Sequence, residues 1–574
     1  MDHLDTTLQK NNMENQKNLF LAIVISMAII FGFQLLVPQP ERVPVSEDQT
    51  VEQSSVDLNI QNTNSQIIVN RNEVISSSGR VSFDNGKIKG SINLEGGIID
   101  DLVLEEFRET LDPTSDLIEF LNPLGSQDAY YLDTGWVSSD NTLELPNNKS
   151  IWKTDKTSMG IDDPVKLFWS NSQGITFEKI ISLDENYLFN VDQRVINNSD
   201  KSFDLFPFGL SKRQGIPDMQ NFFILHEGPI SITDSVLEEY DYDDLKEKRK
   251  IKHTSVGGWI GITDKYWQTA IIPNQNEPIT QTYSYSFAEN VDNFQTDIVG
   301  EKIAVSNGAS ISHNFKLFAG PKIVSVIDTY MEEYGIQEFD RSVDFGWFYF
   351  LTKPIFNVLQ FVFGYVGNFG WSIIVFTILM RICFFPLAQQ SFKSMAKMKK
   401  LGPELQRLKE QYGDDRAGMQ KEMMALYKRE KANPIAGCLP ILLQIPVFFS
   451  LYKVLFVTIE MRHAPFIGWI HDLSAPDPLG LLTLFGFVDW NVPGIFQLFN
   501  IGIWPILMGI SMFLQQKLNP APVDKMQAKI FMFLPIVFTF VLGGFAAGLV
   551  IYWTTNNVLS MAQQYVIQRK IINS

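Results

Sequence analysis

The sequence predicts a multi-domain membrane protein in three parts: an α-helical transmembrane bundle of six spans (one N-terminal, five C-terminal), an all-β sandwich outside the membrane, and a cytoplasmic helical hairpin. Three observations predict it. Apolar runs cluster at the start of the chain and beyond residue 370. Between them lie short β-branched and aromatic runs broken by Gly, Asn and Asp. The charge divides along the same line. Residues 341–574 hold 21 Lys and Arg against 12 Asp and Glu, so the net −17 of the 574-residue chain resolves into +9 there and −26 over residues 1–340. An acidic half of that kind suits a solvated domain. The basic residues of the other half fall in loops between apolar runs and leave no footprint for nucleic acid.

Residues 1–18 carry Lys10 and Lys17 and read as a cytoplasmic N-terminus. Residues 19–37, Leu19 to Val37, form the first apolar run. About 20 helical residues cover the ~30 Å of a bilayer core. The run ends in Val37-Pro-Gln-Pro40 with no small-x-small cleavage site, so an uncleaved anchor fits better than a cleaved signal peptide. Residues 38–80 are rich in Pro, Gln, Ser, Asn and Glu, a linker composition. Residues 81–340 alternate at period two in runs such as Gly174–Leu183 and Tyr187–Ile196, which predicts an antiparallel β-sandwich. Residues 341–369 are aromatic and interrupted by Lys353-Pro354, with Trp347, Tyr349 and Tyr365, and suit an amphipathic segment lying at the membrane surface. Residues 370–574 hold the remaining five spans, at about 370–388, 434–457, 496–516, 529–543 and 545–566.

Loop charges orient these spans. Segment 389–433 carries eleven Lys and Arg, and segment 517–529 carries Lys517, Lys525 and Lys529. Loop 458–495 carries Glu460, Asp472, Asp477 and Asp489 against Arg462 alone. The positive-inside rule places the first two segments in the cytoplasm, with the acidic loop and the β domain outside and both termini inside. Within 389–433, apolar residues recur at Leu401, Leu405, Leu408 and Tyr412, then after Gly413-Asp-Asp at Met419, Met423 and Leu426. Steps of four and three on both sides predict two amphipathic helices folded against each other. The hairpin either merely joins spans as a solvated connection or offers a contact surface, and the methionines, Met395, Met398, Met419 and Met423 among them, suit an adaptable surface of that second kind.

Catalytic signatures are missing from the sequence: no His-Glu-x-x-His, no Gly-x-Ser-x-Gly, no phosphate-binding loop and no dinucleotide fingerprint. The six histidines are scattered without metal-ligand spacing. No cofactor is called for, and nothing marks the chain as an enzyme. The two cysteines, Cys383 and Cys438, lie in apolar runs and read as small core residues. Polar residues inside the spans carry more information. Arg381 interrupts an apolar run, and its guanidinium stays charged, so it needs water, a partner or the interface. Thr377 lies four residues earlier, on the same helix face. Gln444 sits within the third span, Gln515 and Gln516 end the fourth, and Tyr552, Thr555, Asn556 and Asn557 stud the last. The spans carry no Asp or Glu to neutralise the arginine. Either these faces converge on a hydrophilic cavity open to the cytoplasm, or Arg381 snorkels toward Gln389, about 12 Å away.

The segments Met395–Lys400, Gly413-Asp-Asp, Glu422–Lys428 and Asn433–Pro446, with Trp469–Ser474 and Met526–Ile530, resemble the YidC/Oxa/Alb family of membrane protein insertases. The resemblance runs almost continuously over 341–570 and is fainter in the β domain, at Gly257–Gly261 and Ala319–Lys322. The arrangement is similar to the Gram-negative type, with an extra first span and a large periplasmic domain. Met13 and the residues after it resemble the usual start of such proteins. The resemblance implies that Arg381 stands in a substrate groove, with Thr377 and Tyr552 flanking the substrate's exit into lipid and Gln444 lining the groove. Gln515 and Asn556 belong to the same expected groove. It implies that the hairpin receives clients, through Met395, Met398, Met419 and Met423, and that Lys517 and Lys525 contact clients or ribosomes. It further implies a periplasmic sandwich similar to sugar-mutarotase folds, and as partners nascent membrane proteins, the Sec translocon, the ribosome, the signal recognition particle receptor and the lipid bilayer. Two features depart from the family pattern: a longer loop around Leu481–Asn491, and an end soon after Arg569-Lys570 without a long basic tail, which leaves ribosome contact to the hairpin and segment 517–529. Two other functions compete with insertion. A secondary transporter would use Arg381 to hold an anionic solute, but would be expected to repeat its spans. An anchored carbohydrate-active enzyme would need clustered carboxylates or a His/Glu pair at a pocket within 81–335.

Overall fold

The computed structural model describes residues 70–572 apart from 127, 218, 220–224, 289, 414, 431–438, 489, 491 and 520–524. The expected anchor 19–37, residues 38–69 of the expected linker 38–80 and Cys438 lie outside the described residues. After a short helix, α1 (Arg71–Ser77), the chain builds two large β-sheets from strands running between Arg80 and Pro321. One sheet has eleven strands and the other nine. Neighbours are antiparallel with one exception, Arg80–Asp84 beside Ser158–Met159. The cores of the sheets are long pairings: Tyr130–Val137 against Phe203–Gln214 in the first, and Leu188–Asn197 against Ser310–Pro321 in the second.

Period-two patterning explains the sandwich. In Leu188–Asn197, Val191 and Val195 are buried while Asp192 and Arg194 are exposed, so one face turns to the opposite sheet. Trp259, Tyr187, Phe189, Phe294, Phe315 and Phe318 fill the space between and are almost wholly buried. Each buried aromatic ring contributes roughly 1.5–3 kcal/mol of transfer free energy. The Gly257-Gly258 pair sits at a turn with φ of 69° and 80°. A Cβ on Gly258 would lie 2.1 Å from the Ile232 carbonyl oxygen, so only glycine fits.

The domain expected to be all-β also contains helix, α2 (Tyr242–Lys248) and α3 (Val324–Tyr334). The second closes it: Ile327 and Tyr330 are buried, and the Tyr330 hydroxyl binds Asp184 Oδ2 at 2.5 Å. The short apolar run Val324-Ser-Val-Ile-Asp gave no sign at period two of this turn to helix.

The C-terminal half is helical: α4 (Tyr349–Val366), α5 (Phe369–Cys383), α6 (Phe385–Lys400), α7 (Gly402–Tyr412), α8 (Arg416–Arg429), α9 (Leu439–Val457), α10 (Ile503–Leu518), α11 (Lys525–Leu542) and α12 (Ala547–Ile572). Among the described residues no single helix is both long and apolar enough to cross a bilayer; α5 and α6 satisfy that test together, across a bend of 68°. The expected span 370–388 therefore breaks after Cys383, where Pro386 opens the next helix. The expected span 496–516 starts late as well, because Gly494–Phe499 is a 3-10 turn and α10 begins at Ile503. Its cap comes from outside the run: the Trp504 amide donates to Asp477 Oδ2 at 2.8 Å.

Helix α4 buries Thr352, Ile355, Phe356 and Leu359 and exposes Phe350, Phe361 and Tyr365. Its outer face is thus aromatic, where an amphipathic helix in water would be charged. Apolar side chains are exposed as well on α10, at Ile510, Phe513 and Leu514, and on α11, at Ile530, Phe533, Ile536 and Val537. Exposed apolar surface of this kind is unsuited to water and suited to lipid. Cys383, expected in the core, is exposed at the end of α5.

The two halves are joined by specific contacts. Lys453 Nζ on α9 pairs with Asp344 Oδ2 at 2.8 Å, and the same oxygen accepts from the His226 amide of the β domain at 3.3 Å. The Val324 amide at the start of α3 donates to Glu460 Oε1 at 2.9 Å. Arg462 Nη2 donates to the carbonyl oxygens of Arg108 and Glu109 at 2.6 and 3.2 Å.

Candidate functional site

Helix α12 organises the polar side chains of the bundle. Tyr552, Asn556, Ser560 and Gln564 recur every four residues and so share one face. From that face and its flank, α12 meets three other elements. The Gln444 Nε2 of α9 donates to the Tyr552 hydroxyl. Arg381 of α5 donates from Nε to Asn556 Oδ1 at 2.8 Å and from Nη2 to the Asn556 carbonyl at 3.2 Å. Asn557 Nδ2 donates to Ser511 Oγ of α10 at 2.9 Å. Gln564 Nε2 reaches Asn519 Oδ1, just past α10, at 3.1 Å.

Arg381 is half-buried one turn from the α5–α6 bend. Both of its bonds go to neutral oxygens of one asparagine, and among the described residues no carboxylate pairs with it. A guanidinium held this way keeps its full charge on the edge of an apolar bundle. Thr377 is buried and turns its hydroxyl to the Ile373 carbonyl of its own helix at 2.6 Å. Tyr552 is almost fully buried. Of the expected groove residues, then, the structure joins Arg381 to Asn556 and Gln444 to Tyr552. It leaves Thr377 and Gln515 without a hydrogen bond to the other four. Gln515 is half-buried on α10, while its neighbour Gln516 donates to the Phe531 carbonyl of α11.

Sequence reasoning missed the Ser511–Asn557 and Asn519–Gln564 bonds. The four-residue spacing of polar side chains along α12 was a readable signal for Ser560 and Gln564. Ser511 stood in an apolar run with nothing to separate it from an ordinary buried serine.

The expected contact residues divide. Met395 is buried with Ala388, Phe392 and Ile567, and Met398 packs beside it. Met423 packs against Leu401, Leu405 and Leu426, the apolar seam between α7 and α8. Met419 is half-buried. Three of the four thus pack against neighbouring apolar side chains. Lys517 is exposed, with Nζ 4.6 Å from the Phe513 ring centre. The Lys525 side chain lies outside the described residues. Among the described residues no cluster of three His, Cys, Asp or Glu side chains is placed to hold a metal ion.

Comparison with known proteins identifies the family. The family model described as "60Kd inner membrane protein" matches residues 361–574, and that of the "YidC periplasmic domain" matches residues 80–358. The membrane protein insertase YidC of Rickettsia canadensis (strain McKiel) is 43% identical over 562 residues, covering 97% of this chain and 99% of its own. That of Rickettsia bellii (strain OSU 85-389) is 44% identical over 560 residues, with the same coverages. A crystal structure of active YidC insertase aligns over 85% of this chain and 93% of that one, at 17% identity and a TM-score of 0.36. With two family models spanning nearly all the described residues and relatives sharing more than two-fifths of their sequence end to end, the chain belongs to the YidC family of inner-membrane protein insertases that carry a periplasmic domain.

Proposed function

We propose that this chain receives hydrophobic segments of nascent membrane proteins at the polar face of α12 and releases them into the bilayer, alone or with the Sec translocon. One observation carries this reading: Arg381 is held by Asn556 with no neutralising carboxylate among the described residues. A charged residue costs about 2.5–3.5 kcal/mol to place at the centre of a membrane helix by insertion scales. A hydrated groove with a fixed positive charge lowers that cost for the polar or acidic end of a client. The apolar client helix then leaves past Thr377 and Tyr552, with Gln444, Gln515 and Asn556 lining the way.

The topology that suits this role has six spans, one at 19–37 and five in 370–574, with N- and C-termini in the cytoplasm and the β domain in the periplasm. Residues 341–369 lie along the outer surface of the membrane. The hairpin within 389–433 and the segment around Lys517 and Lys525 face the cytoplasm and meet the ribosome or the signal recognition particle receptor. Met419 and the exposed Met424 are the hairpin methionines least occupied in packing.

The test uses the full chain in vesicles and a short Sec-independent client with an acidic translocated segment. Arg381→Ala lowers insertion about tenfold, equivalent to ~1.4 kcal/mol, and Arg381→Lys retains most of it. A neutral translocated segment loses less. Equal insertion by wild type and Arg381→Ala across acidic clients would end the groove reading.

A further inference from the structure

A cavity of about 390 Å³ lies between the two sheets of the periplasmic domain. Tyr130–Val137 and Phe203–Gln214 wall it from one sheet, Ile175–Leu183 and Leu188–Asn197 from the other, and the loop around Asn147 and Asn148 borders it. Its inner wall breaks the pattern that builds the sandwich. Ile175, Phe177, Ile181 and Leu183 turn inward on one strand, yet Lys179 occupies the same face and is 3% exposed. Val191 and Val195 turn inward on the next strand, yet Gln193 stands between them, fully buried. Lys179 and Gln193 are direct cross-strand partners. Two adjacent polar residues on a core face are a costly choice unless something there uses them.

Lys179 is satisfied within the protein. Its Nζ donates to the Gly97 carbonyl at 2.9 Å and Asp133 Oδ1 at 3.1 Å, and lies 5.0 Å over the Trp152 ring. Gln193 is not: neither end of its amide has a hydrogen-bond partner among the described residues. The indole N–H groups of Trp136 and Trp152, both lining the cavity and 3% exposed, also lack acceptors there. The wall thus offers three unpaired donor groups, two indole N–H groups and the Gln193 NH2, and one amide acceptor together with aromatic faces. The ionisable side chains of acid or base type are Asp133, Glu178, Lys179 and Lys212, two of each sign.

We propose that this cavity is a binding site for a neutral, polyhydroxylated small molecule of saccharide type. A hydroxyl group both accepts and donates, so one ligand can satisfy the indole N–H groups and both ends of the Gln193 amide. An anion would leave the amide oxygen unpaired, and a cation would leave the N–H groups unpaired. Balanced wall charge favours neither. The volume falls in the range of small-molecule sites, about 300–1,000 Å³. The strands that wall it are paired on both sides, so an extended polypeptide finds no free strand edge to add to. This site is independent of the groove at Arg381.

Saturation-transfer NMR on the full-length protein in detergent, with D-glucose, D-galactose and maltose as probes, tests the proposal. At least one probe shows transfer, and glucose 6-phosphate competes poorly for it. Gln193→Leu weakens binding about tenfold, and Trp136→Phe, which keeps the ring and removes the N–H, weakens it measurably. Both variants keep their insertion activity and melting temperature near wild type. The proposal falls if none of the three saccharides shows transfer, leaving a water-filled cavity. It also falls if binding is indifferent to both substitutions, or if an unfolded peptide displaces the saccharide.

Discussion

Two residues concentrate the electrostatics of the chain in opposite ways. Arg381 keeps a charge that no carboxylate among the described residues cancels, and Glu460 is held where its charge is disfavoured. Glu460 is nearly buried between the β domain and the helices, with Oε1 accepting from the Val324 amide. Oε2 has no partner among the described residues. Burial pushes its carboxyl from 4.5 up to about 7. A carboxyl raised in the folded state binds its proton more tightly folded than unfolded. Its contribution is therefore complete below pH ~4.5 and is lost as the pH rises through about 7. Between pH 5 and 8 the wild type should lose stability of order 3 kcal/mol relative to Glu460→Gln, which keeps an acceptor for Val324 but does not titrate. Thermal unfolding of both proteins across that range checks this, and parallel pH profiles would refute it. At this scale the sequence marked Arg381 and its neighbours Thr377 and Gln444 as unusual. It did not mark Glu460, which reads there as one acid in an acidic loop.

Elements were legible where periodicity is local and strong. The steps that mark Leu401, Leu405 and Leu408, then Met423 and Leu426, coincide with the apolar seam between α7 and α8. Element ends were less legible, because their causes lie elsewhere in the chain. Helix α10 starts where Asp477, some twenty-five residues upstream, supplies its cap. Helix α5 stops one turn before Pro386, and the 68° bend then turns the basic α6 away from the apolar line. The fit of α10 to α11 also rests on contact. A Cβ on Gly509 would lie 2.1 Å from Thr539 Oγ1, so the helices approach over a missing side chain. Gly509→Ala should cost about 1–3 kcal/mol by overpacking. Adding Thr539→Ala removes the clashing hydroxyl and should recover most of it. Melting temperatures of the single and double variants decide the point, and an additive second loss would disprove it.

At the scale of the molecule, the β domain is fastened to the helices by groups far apart in sequence. Lys453 of α9 meets Asp344, and Glu460 and Arg462 reach α3 and the Arg108 turn. Both partners of the first pair are largely buried, with side chains 15% and 19% exposed. Removing the carboxylate from such a pair takes a direct counter-charge from a largely buried ammonium. Asp344→Ala should lower stability by about 2 kcal/mol and speed tryptic cleavage near residue 344, measured on the full chain in detergent. An unchanged cleavage rate would mean that the remaining contacts hold the halves by themselves.

The sequence by itself determined the division of the chain into an acidic β half and a basic, apolar helical half, and it picked out the polar side chains that interrupt the apolar runs. Those properties follow from composition and short-range period, which each segment carries alone. Only the tertiary structure decided which polar groups meet. Arg381 finds Asn556 across 175 positions of chain, Asn557 finds Ser511, and Lys179 with Gln193 line a cavity that the opposite sheet walls on its other side. Hydrogen bonds and cavities are set by the approach of surfaces distant in sequence, so their partners cannot be read from any one run.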